Sequence, residues 1–489
     1  MKAEVDEAGN KASGLSRNSI GTFGIVIFVL AFASPLIGLT GAMPSAMVTG
    51  NGLGAPAAYV ITGAILLVFA VGFIAMSRHV TNAGALYAYV GRGLGLSWGM
   101  GAAGMAVWAY TVIQVAVYAF FGVVASGTLA FYVGIEVPWF VLSIGLIVLV
   151  QLFGVLHIEV GARALLILMA LEWGVMILLS LVIMVQGGAG EGFGVSEVWS
   201  PSSFLVPGLP VALIWAWASM FGFESSAIYG EEARNPRKSV ARATVISVIA
   251  ITAFFAFTGW MAIVGYGPSQ AVDQALVALE GGDPAVYIFA LGDMYLGSWA
   301  PLAMAVFVLT SMFACTLAFH NAITRYFYRL GRDRVLMKGL GKTRSNGAPH
   351  VASFVQCSIA LAFIVGAVVL QADPVLVLFF WGGGIAVVTI LALYVLTSVA
   401  VIVFFRRNPV VDQGAAKTLV FPLLTIVILV VTEYLIVSNF SLLVGTDANT
   451  ALALASTGVI AFLVGVGVFL IRRKNLNVVE LEELETEVG

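Results

Sequence analysis

Charge is what this chain has least of. Asp, Glu, Lys and Arg make up 10% of its 489 residues, against about 25% in an ordinary soluble domain. That scarcity excludes a soluble fold of this size. With 61% hydrophobic residues and a mean hydropathy of +1.04, it implies an all-α polytopic membrane protein. Long apolar runs, instead of short alternating segments, exclude a β-barrel. Cysteine is also scarce. Cys315 and Cys357 both lie in apolar runs, which reads as buried packing and not as a disulfide framework. There is no P-loop, no H-E-x-x-H and no Cys/His cluster, so the expectation is no cofactor, no metal and no catalytic set. Gly91-x-Gly93-x-Gly95 follows no strand and is not a nucleotide loop. A net charge of -2 without a soluble basic face gives no nucleic-acid partner. No cleavable signal peptide is expected, because the polar residues 1–18 run straight into the first apolar segment.

What is present is a series of membrane-length runs. A span needs about 20 apolar residues, and such runs fall near 20–48, 55–76, 97–130, 138–157, 162–186, 206–230, 243–265, 299–322, 351–371, 374–405, 418–438 and 451–471. That reads as 12 transmembrane helices, with a longer connection at 266–298 that contains a short helix. Lys and Arg favour the cytoplasmic side. With the N-terminus inside, all 23 fall in inner loops and tails. They cluster at Arg78 and Arg92, at Arg163, at Arg234 to Arg242, at Arg325 to Arg344, at Arg406 to Lys417 and at Arg472 to Lys474. The outer loops hold only acids: Glu136, Glu191, Glu197, Asp273, Glu280, Asp283, Asp293, Asp373 and Asp447. The resulting division is a cytoplasmic tail at 1–18, a ten-helix core at 19–408, two additional helices at 409–474 and an acidic cytoplasmic tail at 475–489. The expected location is the plasma membrane, with both termini cytoplasmic.

Glu224 stands inside the sixth run, in Phe221-Gly222-Phe223-Glu224-Ser225-Ser226. A carboxylate at bilayer depth costs at least about 2.5–3.5 kcal/mol, which marks it as functional. The glycine beside it marks a place where the helix breaks. The first run is interrupted too, through Ser34-Pro35-Leu36-Ile37-Gly38-Leu39-Thr40-Gly41-Ala42-Met43-Pro44. The first and sixth spans are corresponding members of two five-span halves. Paired interruptions of this kind point to a binding site built on inverted repeats. The expected ends are carbonyls near Ile37 and Met220, suited to an ammonium group. N–H groups near Ala42 and Ser226 would suit a carboxylate.

Glu172, in the fifth run, is a second membrane-embedded acid with no Lys or Arg at comparable depth. Taking up a proton would remove its buried charge, so it is a candidate proton carrier alongside Glu224. Glu433, in the eleventh run, reads as packing. The substrate-binding candidates are Ile37, Gly38, Leu39, Thr40, Gly41 and Ala42 on the first run, and Trp217, Phe221, Gly222, Phe223, Glu224 and Ser225 on the sixth. Tyr110 and Gln114, at i and i+4 on the third run, and Trp381 on the tenth complete the set. Aromatic faces hold a cationic group by about 0.5–2 kcal/mol.

Gly222-Phe223-Glu224 followed by Glu231-Glu232-Ala233-Arg234-Asn235-Pro236-Arg237-Lys238 resembles the sixth-span signature of the amino acid–polyamine–organocation permeases. Asn82-Ala83-Gly84-Ala85-Leu86-Tyr87-Ala88-Tyr89 and Arg325-Tyr326-Phe327-Tyr328-Arg329-Leu330-Gly331-Arg332-Asp333 are similar to weaker signatures of the same family. The resemblance covers nearly the whole chain. It implies a 5+5 inverted-repeat core with broken helices 1 and 6, and usually two further helices. It also implies substrate or proton coupling at Glu224. Two positions depart from it. The first-helix "G-S-G-I-F" cradle of many amino acid carriers reads Gly38-Leu39-Thr40-Gly41-Ala42 here, and the fifth-helix Lys of many proton-coupled members is Glu172. The acid at 172 turns the expectation toward amines, polyamines or basic amino acids. Taken together, the expectation is a secondary active transporter for an amino acid or related amine, working by alternating access with proton-coupled uptake. An exchanger is the nearest alternative, and a channel or membrane enzyme a remote one. The sequence gives no oligomeric state.

Overall fold

The computed structural model describes residues 21–80, 86–156, 162–228, 233–332, 334–344, 347–408 and 414–473. Both tails, Glu231-Glu232 of the sixth-span signature, Asn82 to Ala85, Asp333 and Lys474 lie outside the described residues, as does the side chain of Arg163.

Helices joined by irregular connections make up the described residues. The long helices are α1 (Thr22–Ala33), α2 (Ala55–Ser77), α3 (Leu86–Leu94), α4 (Leu96–Val133), α5 (Trp139–Leu156), α6 (Ala162–Gln186), α7 (Leu209–Ser219), α8 (Pro236–Tyr266), α9 (Ala271–Glu280), α10 (Val286–Leu296), α11 (Ala300–Arg332), α12 (His350–Val369), α13 (Trp381–Arg407), α14 (Phe421–Ser438) and α15 (Ala448–Arg473). Among the described residues, ten helical stretches are long and apolar enough to cross a membrane. The first of them, Thr22–Ser77, contains two of the runs read from the sequence. The sixth run appears as the shorter apolar helix α7, followed by an irregular stretch. The connection after α8 carries two helices, α9 and α10, where the sequence suggested one.

Local chemistry sets the boundaries. Pro210 and Pro236 stand in the first turns of α7 and α8, where a missing N–H costs nothing. Asp373 caps the turn leading into α13, accepting from the N–H groups of Val375 at 2.8 Å and Leu376 at 2.7 Å. Hydroxyls inside the spans bond to carbonyls four residues back, as Thr40 does to Leu36 and Ser180 to Met176. Such groups are then satisfied without water, which a bilayer interior requires.

Packing centres on α4, which touches α3, α5, α11, α13 and α15. Its contact with α15 is close because small residues face each other. A Cβ on Gly104 would overlap the Ala461 carbonyl, and one on Gly465 the Met100 carbonyl. The outer faces of α14 and α15 expose Leu423, Val427, Val431, Tyr434, Leu463 and Ile471. A continuous apolar exterior of this kind suits lipid and not water. This is a multi-pass membrane protein.

Candidate functional site

The first interruption falls at Ser34, not within Gly38 to Ala42. Ser34 takes the left-handed conformation, with φ 45° and ψ 67°. Pro35, which disfavours a helical residue before it, explains the position. The carbonyl end is therefore at Ala33 and Ser34 instead of Ile37, and the next helical segment starts at Pro35 instead of Ala42. Gly38 to Ala42 continue that segment as a π-helical turn. Gly38 is needed for close approach, since a Cβ there would press on Phe255 and Ser219. The second interruption follows α7. Met220 leaves the helix, Gly222 has φ 99°, and one helical turn resumes at Ser225–Ile228. A Cβ on Gly222 would overlap the Phe32 ring, so both conformation and space demand glycine.

A cavity of about 40 Å³ lies between the two interruptions. That is room for about three or four water molecules, at about 10–15 Å³ each. The first segment contributes Phe32, Ala33, Ile37, Gly38 and Ala42, and the sixth contributes Trp215, Ala218, Ser219 and Phe221. Ile113 and Val117 of α4 close one wall, Cys315 and Phe319 of α11 another, and Phe379 with Gly383 a third. The lining is mostly apolar. The Cys315 thiol donates to the Phe32 carbonyl at 3.4 Å, and the Ser219 hydroxyl donates to the Trp215 carbonyl at 2.8 Å.

Glu224 is fully buried but does not line the cavity. Its Oε1 accepts from the Tyr110 hydroxyl at 2.8 Å. Its Oε2 accepts from the Tyr394 hydroxyl at 2.9 Å and the Gly222 N–H at 3.1 Å. One carboxylate thus joins α4, α13 and the broken sixth segment. Along each chain these partners lie beyond the cavity residues, toward the Arg-bearing ends. Tyr110 is nearer Arg92 than Ile113 is, and Tyr394 is nearer Arg406 than Gly383 is. Phe223 packs on Phe69, Phe73 and Tyr394 in the same layer. Phe32, Phe221 and Phe319 form ring contacts with Tyr110 and separate this layer from the cavity.

Glu172 is 3% exposed and also stands away from the cavity. Its Oε2 accepts from the Ser311 hydroxyl at 3.0 Å, and Ser311 in turn is hydrogen-bonded to the Ser34 hydroxyl. This acid is therefore tied to the first interruption through α11.

Of the residues singled out in the sequence, Ile37, Gly38, Ala42 and Phe221 meet at the cavity. Gly41 lies just behind it, against Phe120 and Phe379, and Leu39 and Thr40 are buried in the same segment. Gly222, Phe223, Glu224 and Tyr110 form the second layer. Gln114 faces away, bonded to Tyr118, Thr316 and Gln356. Trp381 donates to the Val444 carbonyl at 2.8 Å, outside the cavity. Trp217 is buried near Tyr394, and its indole N–H and the Ser225 hydroxyl have no partner among the described residues. Glu433 is on α14, with one carboxyl oxygen unpartnered among the described residues. The sequence reading missed Ala218, Ser219, Ile113, Val117, Cys315, Phe319 and Phe379. The signal was helical spacing, since 215, 218 and 219, then 113 and 117, then 315 and 319, each fall on one face.

A fully helical, multi-pass bundle with a small apolar cavity between two interrupted segments is the architecture of a membrane carrier. The sequence comparison is more specific. This chain belongs to the amino acid permease family, whose match runs over residues 24–480. It is also similar to the branched-chain amino acid permease BcaP of Lactococcus lactis subsp. cremoris (strain MG1363), at 32% identity over 160 residues. That stretch is 32% of this chain and 32% of the relative, so the match spans about a third of the relative's length.

Proposed function

We propose that this protein is a secondary active transporter of an amino acid with an apolar side chain, working by alternating access and coupled to proton entry. The observation that carries the reading is the cavity between the two interruptions. Its walls are aliphatic and aromatic, and both buried acids lie outside it. A cationic side chain would find no carboxylate there, so basic amino acids and polyamines fit less well. The backbone groups of Ser34 and Gly222 are bonded within the protein in this state, and the helix ends at the two breaks would meet the substrate's ammonium and carboxylate once the walls part. The name of the similar permease, which is that of a branched-chain amino acid carrier, agrees in side-chain chemistry. The reading carries with it twelve spans in a 5+5 inverted repeat, cytoplasmic termini and a plasma-membrane location.

Glu224 serves as the latch on the cytoplasmic side. While it bridges Tyr110 and Tyr394, the sixth segment, α4 and α13 are held together below the cavity. Protonation weakens a charge-assisted bridge worth about 1.5–3 kcal/mol per bond, and so favours opening. Glu172 acts on the first segment through Ser311 and Ser34, as the second coupling acid. The cavity has room for only a few waters in this state, so an amino acid enters when the walls part, as alternating access requires.

The test is uptake into proteoliposomes with an inside-alkaline pH gradient, comparing leucine, lysine and putrescine. Leucine accumulation abolished by a protonophore is expected. Preference for lysine or putrescine would contradict the apolar assignment. Uptake that needs internal substrate and ignores the gradient would favour an exchanger.

A further inference from the structure

Gln114 is fully buried, and both its amide N–H groups and its carbonyl oxygen are hydrogen-bonded. Its Nε2 donates to the Thr316 carbonyl of α11 at 2.8 Å and to the Tyr118 hydroxyl at 3.1 Å. Its Oε1 accepts from Nε2 of Gln356 on α12 at 2.8 Å. One side chain therefore fastens α4 to α11 and α12. The neighbours of its two anchor points are the cavity walls. Ile113 and Val117 stand one residue before and three after Gln114. Cys315 and Phe319 stand one before and three after Thr316. On a helix those offsets lie roughly 60–100° around the axis from the anchor. The same relation on both helices puts the fastening beside the two walls it joins.

We propose that Gln114 is a positioning residue that fixes the spacing of α4 and α11, and thereby limits the size of side chain the cavity accepts. This rests on the transport reading above only for its substrate, not for the spacing. Gln114 touches no substrate. It acts through Ile113, Val117, Cys315 and Phe319. Gln356 supports it from α12, and its amide also has an oxygen without a partner among the described residues. Releasing the fastening lets the walls part and admits a larger apolar side chain.

Two variants test this. Gln114→Leu removes all three hydrogen bonds at similar volume, and Gln356→Leu removes only the support on Oε1, so it keeps the test open if the first fails to fold. Spin labels at Phe131→Cys and Trp299→Cys, exposed sites near one end of α4 and α11, report the spacing without any substrate. The expected shift is about 1 Å outward, the scale of ordinary helix displacements. In competition against leucine uptake, phenylalanine should improve about tenfold relative to leucine, within the range a change in an apolar pocket gives. An unchanged distance, or uptake that falls equally for both amino acids, overturns the proposal. If the unsubstituted protein takes up neither amino acid, the transport reading fails, while the label distance still decides the spacing claim.

Discussion

The two interruptions are solved in different ways. At Ser34 the chain turns through one left-handed residue and resumes a helical path at Pro35. At 220–224 it opens more widely, with Gly222 at φ 99° and only a single helical turn described after it. Each has a buried acid, but the connections differ. Glu224 bonds directly to the backbone N–H of its own break and to two tyrosines. Glu172 reaches the other break only through the hydroxyls of Ser311 and Ser34. The direct arrangement concentrates three elements on one titratable group. The relayed one spreads the connection over two weaker links. The sixth segment should therefore respond sharply to loss of its acid, and the first more gradually.

The largest effect is expected for Gly222→Ala, which forces a side chain into a left-handed position and against Phe32. Strain of about 1–3 kcal/mol is typical of such sites. Initial uptake rate in proteoliposomes should fall about 10- to 100-fold, and an equivalent Ala at Gly41 should fall less if the sixth segment is the more sensitive. Next comes Tyr394→Phe, which removes one hydroxyl from Glu224 and leaves the ring against Phe69. A hydrogen bond to a charged group is worth about 1.5–3 kcal/mol, so uptake should drop about tenfold with little loss of thermal stability. Ser311→Ala cuts the relay between Glu172 and Ser34, and a change of a few-fold with a displaced pH profile is expected. A loss as large as that of Tyr394→Phe would remove the distinction between the two segments.

The smallest effect concerns a group outside the spans. Asp283, between α9 and α10, accepts from the Ala285 N–H at 3.0 Å, yet burial pushes its carboxyl up to about 6 from 3.8. The folded state then holds a proton that the unfolded state has released between about pH 4 and 6. Stability falls as pH rises through that window. Asp283→Asn should flatten this part of the melting-temperature profile and raise the melting temperature slightly at pH 7. No change would show that the side chain is solvated.

Much of the bundle was legible because long apolar runs leave few alternatives to membrane-length helices. The burial of Glu224 was legible for the same reason, as a charge inside an apolar run beside a glycine. The break at Ser34 was less so. Two prolines and two glycines offered several places to interrupt the run, and Pro35 acted on the residue before it. The cavity walls were harder still. Ile113, Val117 and Phe319 are ordinary membrane residues by type, and only their shared faces distinguish them. Gln114 and Trp381 drew attention by chemistry but serve packing across helices, which depends on contacts between distant parts of the chain.

The proposed role of Glu224, held by Tyr110 and Tyr394, is to couple proton movement to the cavity between the two breaks. The direct measurement is leucine transport in one proteoliposome preparation, by gradient-driven accumulation and by exchange, for the unsubstituted protein and Glu224→Gln. The variant should lose accumulation against a gradient while retaining exchange. Accumulation in Glu224→Gln equal to that of the unsubstituted protein, with the same pH dependence, would contradict it.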